Sequence, residues 1–181
     1  MARIPAGRAV LPGGRRVFVP GFWLDERPVS NADWRAYQRA TGAASPPWIR
    51  RSGWDDPEQP VVGVTWREAR AYARWRRRRL PTEAEWMRAC GPAAWPWGDT
   101  EPHPKRAVFG CAANTPPARP GRDDGRGPWG HRDLVGNVWE LVAEGFACGG
   151  FRGSTLPSPR DRLLLKPDEQ SAGVSFRLAW R

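Results

Sequence analysis

Proline and glycine set the first limit on this chain. Its 181 residues include twenty of each, so densely spread that no regular element can run far. Proline removes a backbone donor and obstructs the preceding helical turn, and glycine loses the most backbone freedom on ordering. Coiled coil and helical bundle are excluded, because both need long proline-free heptads, and no glycine period allows collagen. Twelve tryptophans and 40% hydrophobic residues exclude plain disorder, since chains unable to bury apolar surface are poor in aromatics. A loop-rich α+β domain remains, and at this length it is a single one.

Within those limits one helix-start device recurs. Ser30-Asn31-Ala32-Asp33, Thr65-Trp66-Arg67-Glu68 and Thr82-Glu83-Ala84-Glu85 each place a hydroxyl three residues before an acid. The hydroxyl accepts the third residue's amide while the acid reaches back, so two orphan donors are satisfied together. The spacing predicts helices from Ser30 toward Gly42, from Thr65 to about Arg78, and from Thr82 to about Cys90. Val17–Val19 and Phe22–Leu24 read as strand broken by Pro20-Gly21. Val174, Phe176, Leu178 and Trp180 alternate with Ser175, Arg177, Ala179 and Arg181, which predicts a closing strand with the first set buried and the second wet. Residues 92–129 are punctuated throughout by proline and glycine, and Trp95, Trp97 and Phe109 there favour an ordered, packed loop.

The charge balance is strongly basic, at +10, and lysine contributes only Lys105 and Lys166. Such arginine bias is expected of a GC-rich genome or of a thermophile, two sources that composition alone does not separate. Arg67, Arg70, Arg74, Arg77 and Arg78 fall on one stripe of the second helix. It reads as a solvated face, and nucleic acid is not expected as a partner because no recognised module accompanies the charge. No apolar run is long enough for membrane insertion. Residues 1–14 lack the apolar stretch of a secretory signal, so the cytoplasm is the default location. Cys90, Cys111 and Cys148 show no C-x-x-C spacing, and their pairing is not legible.

Several strings together are similar to one family. They are Phe22-Trp23-Leu24-Asp25, Pro60–Trp66, Arg79-Leu80-Pro81-Thr82-Glu83-Ala84-Glu85-Trp86, Trp95-Pro96-Trp97-Gly98-Asp99, Asp133–Glu140, Arg152-Gly153-Ser154 and Ser175-Phe176-Arg177. The family is the formylglycine-generating, sulfatase-modifying-factor type, and the resemblance implies a C-type-lectin-like fold. It covers roughly residues 17–181, which leaves 1–16 as an N-terminal arm. The same residues make physical sense as scaffold. Trp66, Trp86 and Trp139 are expected to be largely buried, Gly136-Asn137 to form a positive-φ turn, and Arg79, Glu83 and Glu85 to form ion pairs.

What the resemblance implies about chemistry depends on which residues are present. Enzyme members convert a sulfatase cysteine to formylglycine through a cysteine pair in the C-terminal third, with copper on the thiolates. The matching stretch, Arg152 to Leu165, holds no cysteine. A second branch holds iron in a histidine-rich bundle, whereas this chain has only His103 and His131. Family calcium sites precede the Gly-Asn-Val-Trp-Glu string, where Gly127 here takes the place of an asparagine; Asn114 with Asp123 or Asp124 is the alternative set of calcium ligands. The expectation is therefore no catalytic residue, no metal and no cofactor, that is, not an enzyme.

A third branch, the variable proteins of diversity-generating retroelements, displays a rewritten ligand-binding surface on the same frame. The equivalent tract here is about 141–176. It predicts Glu144, Phe146, Phe151, Thr155, Arg160, Arg162 and Leu164 as contacts for a protein or glycan ligand. Leu163-Leu164-Leu165 within it is either exposed contact surface or one buried turn. The alternatives are an accessory or regulatory domain of the family, or an oxidoreductase making formylglycine.

Overall fold

Each of the three hydroxyl–acid signatures opens a helix. In the computed structural model, which describes residues 1–112 and 114–181, α1 spans Asn31–Thr41, α2 Trp66–Trp75 and α3 Glu83–Cys90. Ser30, Thr65 and Thr82 accept the third residue's amide at 3.1–3.2 Å. Asp33, Glu68 and Glu85 return bonds to the cap amides at 3.3, 2.7 and 2.9 Å. Gly42, at φ 73°, stops α1 in the left-handed turn its sequence predicts. The second helix stops short of Arg78, because Arg77 takes a φ of 53° and no α-helix continues through that conformation. Arg79 then exchanges backbone bonds with Ala179 at 2.8 and 3.2 Å.

The strands are short and fall into three sheets. Antiparallel β1 (Ala2–Ile4), β4 (Phe22–Leu24) and β9 (Ala179–Trp180) form one, and the β2 (Gly7–Val10)–β3 (Arg16–Val19) hairpin forms another. The third runs β7 (Arg162–Leu164), β6 (Phe146–Cys148), β5 (Trp139–Leu141), β8 (Val174–Ser175), with only β5 and β8 parallel. Residues 1–16, set apart by their sequence as an arm, supply β1 and β2 and bury Ile4, Ala9 and Leu11. Their short alternating stretches lack the family strings, which is why pairing was not legible there.

Two apolar clusters flank the third sheet. One stacks Trp34 on Tyr72 at 5.5 Å, with Phe176 edge-on to both. The other gathers Ile4, Phe22, Leu24, Trp86 and Leu134. Trp86 is fully buried, but Trp66 and Trp139 pack only half-buried on the rim of the first cluster. The chain's last stretch also departs from simple alternation. Ser175, Arg177 and Ala179 are all buried and Trp180 is 51% exposed, because the segment leaves β5 as β8 and joins β4 as β9 instead of remaining one strand. Both faces of the crossing are thereby covered. Among the described residues no helix is long and apolar enough to cross a membrane.

Candidate functional site

The frame of the C-terminal third is built on two buried arginines. Arg177 uses all five of its N–H donors: two on Glu140 at 2.6 Å each, and three on the carbonyls of Asp25, Glu26 and Arg132 at 2.8–3.1 Å. Glu140 also accepts the Trp86 indole N–H at 3.0 Å, so one pair ties α3, β5 and the last crossing together. A buried charge is tolerated only when paired and hydrogen-bonded in this way. Arg152 is equally buried but, among the described residues, meets no carboxylate. It donates to the carbonyls of Thr115, Asn137 and Ala172 and lies over Trp54 at 5.0 Å. Burial brings its pKa down to about 10.

The turn ahead of β5 holds these arginines in place. Gly136 has φ 79° and Asn137 φ 58°, as the Gly-Asn dipeptide predicts. A side chain at Gly136 would come within 2.5 Å of the Val108 carbonyl. The Asn137 amide exchanges bonds with Ala118 at 2.9 and 3.0 Å and donates to Asp133 at 3.2 Å. Burial raises Asp133 to about 6 and lowers His131, which sits among desolvating groups beside Arg177, to about 3.

On this frame stands an outward surface. Glu144, in the exposed β5–β6 turn, accepts the Glu83 amide at 3.0 and 3.1 Å, so its carboxylate caps α3. Glu83 in turn pairs with Arg162, whose guanidinium lies 5.3 Å over the Phe146 ring. Phe146 and Leu164 are register partners across β6 and β7. Glu144, Phe146, Arg162 and Leu164 are thus brought together around the start of α3. Leu164 is 80% exposed while Leu163 and Leu165 pack on the first cluster, so the leucine triplet is a strand edge with one outward member and not a buried turn.

Thr155 and Arg160 lie apart from that group, exposed on the loop that follows β6. Arg160 donates to the Ala94 carbonyl at 3.4 Å, and the Trp95 indole donates to Pro157 at 3.1 Å. Phe151 is turned inward, stacked on Trp139 at 6.3 Å with Gly153 and Gly173 against its ring. The sequence reading missed Leu156, 54% exposed in the same loop, and Glu83 as the partner of Arg162. No local signal marks Glu83, because its role is set by a strand about eighty positions on.

The metal sites implied by the family resemblance do not fit these residues. Cys90 and Cys148 are buried in the second cluster as free thiols. Burial pushes both well above the usual thiol range, which disfavours the thiolate that copper requires. Asp123 is paired with Arg126 at 2.7 Å and Arg132 at 3.0 Å, which takes it from a calcium set with the exposed Asn114. His103 is exposed and His131 buried. Among the described residues no group of three or more His, Cys, Asp or Glu is arranged to hold a metal.

Comparison with known proteins finds relatives that bear enzyme names. It is 33% identical over 162 residues to the hercynine oxygenase of Mycolicibacterium thermoresistibile, covering 70% of this chain and 36% of that protein. It is 32% identical to the formylglycine-generating enzyme of Streptomyces coelicolor, covering 76% of this chain and 62% of that one. The chain therefore spans only about a third of the first relative's length and less than two thirds of the second's. The solved structure of Treponema denticola variable protein 1 superposes with a TM-score of 0.80 over 100% of this chain and 94% of that one, at 18% identity. That likeness shows the shared fold.

The expectation that the chain is not an enzyme is overturned by these relatives, which bear enzyme names. A missing thiol pair speaks to one chemistry, and a scaffold that carries two differently named activities is not defined by that pair. The three-helix, short-stranded α+β architecture is of the formylglycine-generating, C-type-lectin-like type, as its strings predict. Residues 3–163 match the family model described as the sulfatase-modifying factor enzyme 1-like domain, and the chain belongs to that family.

Proposed function

We propose that this chain recognises a protein ligand through the surface formed by the β6–β7 hairpin and the loop between its strands. The observation that carries the reading is the division of labour within residues 144–165. Phe151 and Arg152 face inward and fix the loop, while Thr155, Leu156, Arg160 and Leu164 stand exposed. Leu164 at 80% exposure beside the Phe146–Arg162 stack supplies aliphatic, aromatic and guanidinium contacts together, a mixture common at protein hot spots. A glycan site would instead present open aromatic faces, and here Arg162 covers Phe146 and Trp139 covers Phe151. The bound protein is a partner or a substrate; recognition by this surface is compatible with either.

A photo-crosslinking side chain at position 164 or 156 tests the reading. Both positions are expected to trap the same discrete protein from the source cell, and a crosslinker at exposed Arg8 is expected to trap none of it. Leu164→Asp should abolish trapping from position 156. Trapping that survives Leu164→Asp, or yields that arises equally at position 8, overturns the proposal.

Thr155, Leu156 and Leu164 stand exposed, so their codons can be rewritten without loss of the frame, and this supports a diversified surface of the retroelement kind. Its test is genomic: a near-copy of the 3′ end differing almost only at adenines, beside a reverse-transcriptase gene. Their absence removes diversification and leaves a fixed-partner accessory domain.

A further inference from the structure

One groove, which adjoins the start of α3, carries chemistry the fold leaves unused. Its volume is about 510 Å³, within the range of small-ligand sites. Arg70, Arg74, Arg78, Arg79 and Arg181 line it together with Trp66. Among the described residues two carboxylates meet those five guanidiniums. Asp25 pairs with Arg78 at 3.0 Å, and Glu85 takes Arg79 at 2.5 Å and Arg181 at 3.7 Å. Glu144, next to the lining residue Ala143, is turned to the Glu83 amide. Among the described residues Arg70 and Arg74 have no ion-pair partner, although Arg67 on the same helix reaches Asp168 at 3.1 Å.

The unpaired guanidiniums are also arranged. Arg70 and Arg74 are one turn apart on α2 and therefore share a face. Arg70 is held over the Trp66 ring at 4.6 Å, and the Trp66 indole N–H is fixed on the Val142 carbonyl at 3.0 Å. An excess of three cations in one concavity raises the local concentration of anions. Planar guanidinium forks match tetrahedral oxyanions bidentately, and the apolar part of the groove, Ala73 and Leu80, suits an organic body beside the charge. Arg27 and Arg119 elsewhere are paired, with Glu58 and Asp56, whereas five guanidiniums converge on this one concavity.

We infer that this groove binds a small phosphorylated molecule, with Arg70 and Arg74 gripping its phosphate and Trp66 flanking its organic part. Titration calorimetry of the whole chain with inorganic pyrophosphate, ribose 5-phosphate and a fifteen-nucleotide single-stranded DNA tests the assignment. Pyrophosphate and ribose 5-phosphate are expected to bind one to one below about 1 mM. The Arg70→Ala/Arg74→Ala double variant should lose about tenfold or more in affinity, a change of about 1.4 kcal/mol or more. Arg67→Ala and Leu164→Asp should leave binding intact, which separates this site from the loop surface. Arg70 and Arg74 are exposed, so unchanged thermal unfolding is expected in the double variant; Arg70→Gln/Arg74→Gln repeats the test should it differ. No binding of either small probe, equal binding by the variants, or binding of the DNA alone overturns the assignment.

Discussion

Arg177 and Arg162 lie fifteen positions apart and show two opposite ways of using a guanidinium. Arg177 is fully buried, pairs with a buried carboxylate and has every donor occupied. Arg162 is half-exposed, shares one bridge with Glu83 and lies over Phe146 at the edge of the outward surface. The first is an internal strut and the second a surface contact that still tolerates change. The contrast teaches that, in a chain this rich in arginine, function has to be read from burial and partnering. Residue type alone says little.

The comparison is broken most severely at the strut. Arg177→Met strands Glu140 without a cation in the core and is expected to cost about 4–5 kcal/mol, the upper end for breaking one side of a buried pair. For a domain with a margin of about 5–15 kcal/mol, that leaves little folded protein. Chemical denaturation measures it, and a loss near that of a surface pair would show the strut is not structural. Trp86→Ala follows at about 3–4 kcal/mol, because it removes a fully buried indole that also donates to Glu140. Trp139→Ala, half-buried on the rim, should cost distinctly less, about 1–2 kcal/mol.

How far the sequence disclosed this division can be followed residue by residue. The helices were legible because Ser30, Thr65 and Thr82 carry their caps within four positions. The Gly136-Asn137 turn was legible for the same local reason. Arg177 was not. Period-two alternation assigns it to solvent, and its partner Glu140 lies 37 positions away across a parallel pairing. Exposure along the tract 141–176 was legible only in part. Leu164, Thr155 and Arg160 do face outward, whereas Phe151 was drawn inward by Trp139 and Glu144 was turned into a cap by the Glu83 amide. Each of these outcomes depends on a neighbour distant in sequence. Residues missing from one segment, Arg152 to Leu165, do not decide whether a chain of this family is an enzyme.

A pH titration sharpens the buried side. His131 folds with its pKa lowered from 6.5 to about 3, so its contribution is fully present above the unfolded value and is lost as pH falls toward 3. Asp133 folds with its pKa raised from 3.8 to about 6, so its contribution is fully present below 3.8 and is lost as pH rises through 6. Between pH 4 and 6 the two oppose, and the wild-type chain should gain little stability from these groups in either direction. Asp133→Asn keeps an acceptor for Asn137 and removes one of the two. Stability should then rise with pH across that window by roughly 1.4 kcal/mol per unit. An unchanged slope in the variant would mean that Asp133 is not buried as a neutral acid.

The outward side predicts the smallest change. Leu164→Ser removes an aliphatic side chain that is 80% exposed on an edge strand, where little area is lost and no partner is stranded. Its effect on unfolding should stay within about 0.5 kcal/mol, the usual range for surface sites. Thr155→Ala and Arg160→Ala belong to the same class, since Thr155 is exposed and the Arg160 side chain makes one long bond, to the Ala94 carbonyl. Arg162→Ala should exceed them, at about 1 kcal/mol, because it gives up both the Glu83 bridge and the cover over Phe146. Equilibrium denaturation of the four variants orders them. If Leu164→Ser costs more than Arg162→Ala, Leu164 is packed in solution, and the surface proposed for ligand recognition loses its central residue.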